Sequence, residues 1–335
     1  MRVLVLGDMS LGRNARSVRE GFAHAGFDVR SVSTARVVHA SKGSSNWWYK
    51  RRLQQVAPAE QRRFDAELTS ATTSWSPDLT LAIKTIHHDQ TRILELPGRK
   101  AHLSFDDVSN PENTSPRYLM HESEWDLIVT TKRHNVPELY SRGARDVLYI
   151  WGAFDPRYRH RTTSFEKRHF KVGFIGAARP DRVTLPSDLA THVRGDSIVY
   201  GPRWRRSYPL GKRGVSLRPL ALREKYTAAA NSMQIGLVLL NSDNRDAHTN
   251  RTFETPATGQ LLVGERTSEH LELFDEGSEA FFFEDRDELW DLIPKLVRDQ
   301  RTSSAVASNG WRKMIEGPYT YADRAREIAA HLDES

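Results

Sequence analysis

Two carboxylates and an arginine stand close together in the second half of the sequence. Asp246 and Glu254 have seven residues between them, and Arg251 precedes the glutamate by three positions. A buried-strand pattern comes before them, and a helix is predicted to begin near Thr249. A carboxylate placed early in a helix, beyond the carboxyl end of a strand, lies where α/β sheets bind ligands and where backbone N–H groups suit an anion. The acid can bind sugar hydroxyls while Arg251 and the helix terminus bind phosphate, so the pattern predicts a sugar joined to a nucleotide diphosphate.

The same segment resembles the carboxy-terminal signature of CgeB-like glycosyltransferases, which have the GT-B fold. The resemblance rests on LN at Leu240–Asn241, RTFE at Arg251–Glu254, ATG at Ala257–Gly259, the segment Leu273–Leu289 and YTYADRA at Tyr319–Ala325. It implies an α/β protein in which two Rossmann-like domains face a central cleft. It also implies that Asp246 and Glu254 correspond to the two catalytic acids of retaining GT-B enzymes, although that family usually has Glu at the first position.

The resemblance further implies a donor site in the second domain. Besides Glu254, the residues expected to hold the nucleotide-diphosphate sugar are Arg179, Arg182, Gly201, Trp204, Thr249, Asn250 and Arg251. A guanidinium group can bind a diphosphate in a bidentate manner, and Arg182 resembles the arginine of the family more closely than Arg179 does. Each assignment has an alternative: Thr249 or Asn250 also suits a helix N-cap, Trp204 a core anchor, and Glu254 an ordinary acid early in a helix.

The loop after the first predicted strand is expected to border the acceptor. Its candidate residues are Ser10, Arg13 and Asn14. The loop has four residues between two glycines, as a phosphate loop does, but it lacks the lysine and the Ser or Thr that follow in a P-loop. A P-loop nucleotidase is therefore not predicted.

Further acceptor-side candidates lie in an insertion and after a later strand. Trp47 and Trp48 belong to the basic, aromatic insertion Lys42–Arg63. They could stack on a sugar, bind a lipid-linked phosphate or contact nucleic acid, or else form a partly buried helical edge. One of Asp106 and Asp107 is expected to face the cleft, because neighbouring strand residues point to opposite faces.

No metal site and no cofactor are predicted. The pair Asp106–Asp107 is followed by a turn pattern, and His87–His88–Asp89 has no further cluster at metal-ligand spacing. The resemblance implies catalysis without a metal, with the nucleotide-diphosphate sugar as co-substrate.

The length of 335 residues and the 38% of apolar residues predict two globular domains. Strand patterns alternate with helical ones in both halves, which indicates parallel sheets. The predicted domains are residues 1–155 and 156–318, and the resemblance implies that a final helix within 319–335 packs back on the first domain. The basic stretch 153–168, which contains a proline, is predicted to be an interdomain linker.

Charge and composition restrict the cellular setting only loosely. A net charge of +6 is compatible with phosphorylated substrates, an anionic membrane surface or nucleic acid. The absence of cysteine excludes disulfides and fits a reducing cytoplasm. No secretory signal is expected, and no apolar run approaches the roughly 20 residues that a membrane-spanning helix needs. The expectation is a cytoplasmic protein, with a peripheral position at a membrane surface as an option.

The expected function is transfer of a sugar from a nucleotide-diphosphate donor to a hydroxyl of an acceptor glycan, a lipid-linked acceptor or another substrate, with retention and without a metal. Two alternatives remain open. The basic insertion is compatible with a glycosyltransferase that acts on modified bases in DNA, and the Asp at position 246 with a non-catalytic protein that binds nucleotide sugars. A dinucleotide oxidoreductase is disfavoured, since neither half carries a GxGxxG fingerprint.

Overall fold

The chain forms two compact units, seen in a computed structural model that describes residues 1–35, 45–193 and 195–334. The first unit comprises Met1–Trp151, Ser242–Asp246 and the stretch from Thr320 onward, and the second comprises Gly152–Asn241 and Ala247–Tyr319. Residues 42–44 of the predicted insertion lie outside the described part of the chain.

The first unit is built on a six-stranded parallel sheet in the order β2-β1-β3-β4-β5-β6. Its strands are β1 Arg2–Gly7, β2 Asp28–Ser33, β3 Leu79–Ile83, β4 Arg99–Ser104, β5 Leu127–Thr130 and β6 Val147–Tyr149. Its helices before the second unit are α1 Asn14–His24, α2 Ser45–Trp48, α3 Pro58–Thr72, α4 Gln90–Leu94, α5 Pro116–Leu119 and α6 Asn135–Ser141. Val3 pairs with Val29 on one side and with Leu79 on the other. The chain thus changes direction across the sheet between β1 and β3, which is a topological switch point.

The second unit repeats this architecture with the strand order β12-β11-β10-β7-β8-β9. Its strands are β7 Phe170–Ile175, β8 Ser197–Tyr200, β9 Val215–Arg218, β10 Met233–Val238, β11 Leu261–Glu265 and β12 Phe281–Phe283. Its helices are α7 Leu185–His192, α8 Trp204–Ser207, α9 Glu224–Ala230, α10 Asn250–Ala257, α11 Ser268–Leu273, α12 Arg286–Arg298 and α13 Gln300–Glu316. The switch point of this sheet lies between β7 and β10, because β8 and β9 extend to one side and β11 and β12 to the other.

Both sheets are covered on their two faces, as their sequences indicate. All six residues of β10 and all five of β3 are buried, which is typical of parallel strands between helical layers. Short helical turns complete the connections: a π-helical turn at Tyr49–Leu53 and 3₁₀ turns at Pro111–Asn113, Glu122–Glu124, Phe165–Lys167, Pro180–Arg182 and Ser242–Asn244. The predicted α/β class with two parallel sheets is confirmed.

The last helix, α14 Tyr321–Glu334, packs against α1 within the first unit. The contact is close because α1 has a glycine at position 21. A Cβ atom on Gly21 would lie 2.5 Å from the carbonyl oxygen of Tyr321. No helix in the described ranges is both long enough and apolar enough to cross a membrane.

The basic stretch 153–168, predicted to be a linker, is instead an integral part of the second unit. Arg168 is buried and donates to the carbonyl oxygens of Met233 at 3.0 Å and Thr258 at 2.6 Å. Burial lowers the pKa of this guanidinium to about 10. The prediction failed because a run of basic residues resembles solvated chain, whereas a guanidinium group can be buried when backbone carbonyls accept its hydrogen bonds.

Candidate functional site

Helix α10 begins where the polar residue pattern predicts, and its first turn is held by hydroxyl groups. The Oγ1 atom of Thr249 accepts a hydrogen bond from the backbone N–H of Arg251 at 3.2 Å, and the Oγ1 atom of Thr252 accepts one from the N–H of Thr249 at 3.2 Å. Thr249 is therefore the N-cap. The Oδ1 atom of Asn250 accepts a longer hydrogen bond, 3.4 Å, from the N–H of Ala153.

Glu254 lies one turn inside α10 and is 5% exposed. One carboxylate oxygen accepts a hydrogen bond from Nε of Arg159 at 2.8 Å, and the other accepts from the hydroxyl of Tyr226 at 3.3 Å and from Arg251. A buried carboxylate needs such partners, because an uncompensated charge in the interior is costly. Here two guanidinium groups surround one carboxylate.

The two arginines also share an aromatic ring. The guanidinium carbon of Arg159 lies 3.6 Å from the ring centroid of Tyr226, and that of Arg251 lies 4.8 Å from it. Nε of Arg251 donates to the carbonyl oxygen of Ile175, at the end of β7, at 3.2 Å. The four side chains form what is here called the Glu254 cluster, namely Glu254, Arg159, Arg251 and Tyr226. Since two arginines face one glutamate, the cluster carries an excess positive charge that suits an anionic ligand.

Arg182 lies in the 3₁₀ turn Pro180–Arg182 after β7 and contacts the chain just beyond the neighbouring strand β10. Its NH1 and NH2 groups donate to the carbonyl oxygens of Leu239 at 3.0 Å and Leu240 at 2.5 Å, just beyond β10. It also forms a bidentate ion pair with Asp181. The hydrogen bonds from Arg182 lower the pKa of the Asp181 carboxyl group. Arg179, the N-cap of the same 3₁₀ turn, is half-buried.

These side chains meet at the switch point of the second sheet. Arg251 contacts the end of β7 and Arg182 the end of β10, the two strands between which the chain changes direction. Open α/β sheets bind ligands in the crevice at this position. The arrangement offers a carboxylate that can accept hydrogen bonds from vicinal hydroxyls and guanidinium groups that can bind phosphate.

Gly201 and Trp204 have structural roles in this unit. Gly201 has φ +148°, and a Cβ atom there would lie 1.9 Å from the carbonyl oxygen of Gly176. Its N–H donates to the carbonyl oxygen of Arg218 at 3.0 Å. Trp204 is 1% exposed, and its indole N–H donates to the carbonyl oxygen of Gly176 at 2.8 Å. Of the two roles considered for Trp204, the structure shows the core anchor, because a ring enclosed by protein cannot stack on a base.

Asp246 belongs to the first unit, whereas Glu254 belongs to the second. Its carboxylate is buried and pairs with Nζ of the buried Lys132 at 2.6 Å, and Oδ1 accepts from the side-chain amide of Asn244 at 2.8 Å. The acid at the first position of the predicted pair is therefore already neutralised by a lysine of the first unit.

The acceptor-side candidates of the first loop are organised by Asp8. Its Oδ1 atom accepts from the backbone N–H of Ser10 at 2.9 Å, and its Oδ2 atom lies 3.2 Å from Nε of Arg13. Asn14 is the first residue of α1. The loop thus presents Ser10 and Arg13 at the carboxyl end of β1, beside the switch point of the first sheet.

The two neighbouring aspartates have different environments. Asp107 is buried, and Arg245 binds both of its carboxylate oxygens at 2.6 and 2.7 Å. Burial alone would raise the pKa of Asp107, but the hydrogen bonds from Arg245 outweigh it, and the pKa is lowered. Asp106 is partly exposed and pairs with Lys84 at 2.5 Å. Of the insertion, Trp47 is half-buried and Trp48 is 48% exposed.

Several residues of these sites carry no signal in the sequence. Arg159 is 95 positions from Glu254 in the sequence, and Lys132 is likewise far from Asp246. Local sequence spacing therefore predicts neither pair. Asp8 is different, since an acid directly after the first strand is a recognisable position. Within the described ranges no group of three or more His, Asp or Glu has the geometry of a metal site. His87 is hydrogen-bonded to the carbonyl oxygen of Gln54. His88 is buried against Phe64, and burial lowers its pKa to about 3.

Comparisons with known proteins agree with this architecture. Residues 183–330 match a family model described as glycosyl transferase-like. The whole chain superposes on HepE from Anabaena, solved with UDP-glucose, with a TM-score of 0.67, 13% identity and full coverage of both chains. It also superposes on sucrose-phosphate synthase from Thermosynechococcus elongatus, with a TM-score of 0.71, 10% identity and coverage of 100% and 98%. No curated protein matches the chain significantly by sequence.

A third similar structure is an alpha-glucosyltransferase in complex with UDP, with a TM-score of 0.70, 11% identity and full coverage of both chains. At such identities the likeness shows the fold, which is that of GT-B glycosyltransferases. The predicted enzyme class, a glycosyltransferase of this fold, agrees with both the family model and the structural matches.

Proposed function

We propose that this chain, with its GT-B fold and glycosyl transferase-like segment 183–330, transfers a sugar from a nucleotide-diphosphate donor to an acceptor hydroxyl. The observation that carries the proposal is the Glu254 cluster at the switch point of the second sheet. Similar structures solved with UDP or UDP-glucose favour a uridine nucleotide as the donor. A relationship to the CgeB-like glycosyltransferases is part of the proposal.

The donor binds through charge and hydroxyl recognition. The carboxylate of Glu254 accepts hydrogen bonds from the ribose hydroxyls, and the guanidinium groups of Arg251 and Arg182 bind the diphosphate. The N–H groups at the start of α10 add positive electrostatic potential. These groups stabilise the negative charge that develops on the departing diphosphate, which lowers the barrier to transfer.

The proposed reaction proceeds with retention and without a metal or cofactor. Retention is supported by the resemblance of Asp246 and Glu254 to the acid pair of retaining enzymes. The arginines supply the positive charge that a metal ion provides in other transferases. The acceptor is a glycan, a lipid-linked molecule or another hydroxyl compound, and a cytoplasmic location, as predicted from the sequence, belongs to the same proposal.

Replacement of Glu254 by Gln tests the donor site. The change keeps the volume of the side chain but removes the charge, so a hydroxyl pair loses a charge-assisted acceptor worth about 1.5–3 kcal/mol. We expect affinity for UDP-glucose, measured by calorimetry, to fall at least about tenfold. Glu284→Gln, at an exposed position in the same unit, should leave the affinity unchanged.

Unchanged affinity in Glu254→Gln would contradict the assignment of the site. Release of UDP from UDP-glucose in the presence of acceptor separates the enzyme from a non-catalytic binding protein. Binding of duplex DNA that weakens steeply with salt would instead support an acceptor in DNA.

A further inference from the structure

A group of basic side chains lies at the carboxyl end of β3 and has no part in the donor site. It comprises Lys50, Lys84 and His87, all in the first unit, and is here called the lysine cluster. Lys84 follows β3 directly and has φ +54°, a left-handed conformation that is unusual for a residue with a side chain. Lys50 lies in the π-helical turn Tyr49–Leu53, a conformation often found at functional sites.

The charges around the cluster do not balance. Two acids lie nearby, but each already has a cationic partner: Asp106 is 2.5 Å from Nζ of Lys84, and Glu112 is 3.3 Å from NH1 of Arg51. Lys50 is half-buried and has no ion-pair or hydrogen-bond partner within the described ranges. The turn that holds Lys50 lies beside His87, because the carbonyl oxygen of Gln54, directly after the turn, is 2.9 Å from Nδ1 of His87. Burial lowers the pKa of Lys50, repulsion from Lys84 lowers it further, and Glu112 raises it. One positive charge is therefore left over.

His87 adds a neutral hydrogen-bonding group to these cations. Its Nδ1 atom lies 2.9 Å from the carbonyl oxygen of Gln54, which can only accept, so Nδ1 carries the proton. Burial lowers the pKa of His87 to about 4, with smaller effects from Lys50 and Lys84 in the same direction. At neutral pH the Nε2 atom is thus a hydrogen-bond acceptor, suited to a hydroxyl proton.

The position of the cluster in the sheet is that of a ligand site. β1 and β3 flank the switch point of the first sheet, and Lys84 and the Asp8–Arg13 pair follow these two strands. Trp48, two residues before Lys50, exposes 48% of its surface and can cover an apolar part of a ligand. Excess positive charge, a hydrogen-bond acceptor for a hydroxyl group and an aromatic surface thus occur together near the carboxyl ends of the strands of the first sheet.

We propose that the lysine cluster binds a phosphate group of the acceptor, so that the acceptor is a phosphate ester with hydroxyls next to the phosphate. The inference rests on the proposed function and narrows its acceptor. The ammonium groups of Lys50 and Lys84 hold the phosphate oxygens, and Nε2 of His87 accepts from a neighbouring hydroxyl. The phosphate ester comes either from a soluble sugar or polyol phosphate or from a lipid headgroup.

Titration with inorganic phosphate tests the cluster directly. The probe is the imidazole signal of His87 in the ¹³C-labelled protein, assigned by its loss in His87→Gln. We expect the signal to shift and saturate, and Lys50→Gln to weaken the apparent affinity roughly tenfold, because one charge-assisted contact is lost. Lys50→Arg keeps the charge and should restore most of the affinity.

Lys100→Gln is the matched control. Lys100 lies at the amino end of β4, whereas the lysine cluster lies at the carboxyl end of the parallel strands, and its removal changes the net charge by the same amount. The proposal is overturned if His87 does not respond to phosphate, or if Lys50→Gln and Lys100→Gln bind phosphate equally well.

A second set of measurements distinguishes the two sources of phosphate. Glycerol 3-phosphate is titrated in solution, and vesicles of phosphatidylcholine with and without phosphatidic acid are tested by co-sedimentation. If Lys50→Gln weakens the binding of one of these ligands, the proposal is supported and that ligand identifies the source. If Lys50→Gln binds both as the wild type does, the proposal is contradicted. UDP affinity, measured on the same variants, should not change. Failure of the wild-type protein to bind UDP would refute the proposed function while leaving the response of His87 to be judged by itself.

Discussion

At the scale of single residues, the donor site depends on a carboxylate whose partners come from distant parts of the chain. Glu254 is held by Arg159 from the stretch after the first unit, by Arg251 from its own helix and by Tyr226 from α9. Each partner restricts the rotamer of the glutamate before any donor binds. Such preorganisation reduces the entropy that a ligand must lose on binding.

Arg159→Met should therefore weaken both stability and donor binding. The substitution keeps much of the packing over Tyr226 but removes the hydrogen bond and charge at one oxygen of a buried carboxylate. We expect the free energy of unfolding to fall by about 2 kcal/mol and the affinity for UDP-glucose to fall several-fold. Chemical denaturation and calorimetry measure the two effects. Arg159→Lys, which keeps the charge but not the planar fork, should give intermediate values; a wild-type profile in Arg159→Met would show that Arg251 alone positions the carboxylate.

At the scale of secondary-structure elements, the contact between α1 and α14 completes the first unit. It depends on Gly21, because any larger side chain would meet the backbone of Tyr321. The buried face of α14 consists of Tyr321, Arg324, Ala325, Ile328, Ala329 and Leu332. The glycine is present for close approach, since glycine inside a helix otherwise costs about 1 kcal/mol relative to alanine.

Gly21→Ala should destabilise the first unit although alanine favours helix formation. We expect a loss of about 1–3 kcal/mol from overpacking, together with faster proteolytic cleavage within α14. Ala23→Ser, on the exposed side of α1, should change the stability by less than about 0.5 kcal/mol. An increase in stability in Gly21→Ala would mean that α14 adjusts its position at no cost.

Elements with strong local signals could be predicted, and those fixed by distant contacts could not. The sequence of β3, Leu79–Ile83, indicates a strand by itself, because a short, largely apolar run bounded by turn residues has few alternatives. β9 at Val215–Arg218 carries a weaker signal, since it is an edge strand with only two buried residues. The start of α10 followed from its N-cap threonine, whereas the partners of Glu254 and Asp246 depend on tertiary contacts that sequence spacing does not encode.

At the scale of the whole molecule, buried histidines make stability depend on pH. Burial lowers the pKa of His270 to about 4, below the value of 6.5 expected for the unfolded chain. The unfolded state therefore binds the proton more readily, so stability is lost as the pH falls from about 6.5 towards 4. His88 and His102, whose pKa values burial lowers to about 3, act in the same direction over a wider range.

The free energy of unfolding should thus fall on acidification, with His270 contributing about 3 kcal/mol by pH 4. Denaturant unfolding at several pH values measures this slope. His270→Gln should flatten it, whereas His169→Gln, at an exposed position, should leave it unchanged. An equally steep slope in His270→Gln would assign the pH dependence to other groups.

The course of the chain through its two units has a consequence for biosynthesis. The polypeptide leaves the first unit after Trp151, returns to it for the short segment Ser242–Asp246, and rejoins it at Thr320. A ribosome therefore releases all strands of the second unit before α14 emerges, and until then α1 lacks the helix that packs against it at Gly21. Until then the nascent first unit exposes the surface that α14 later covers, and an incompletely covered surface is the kind that chaperones bind.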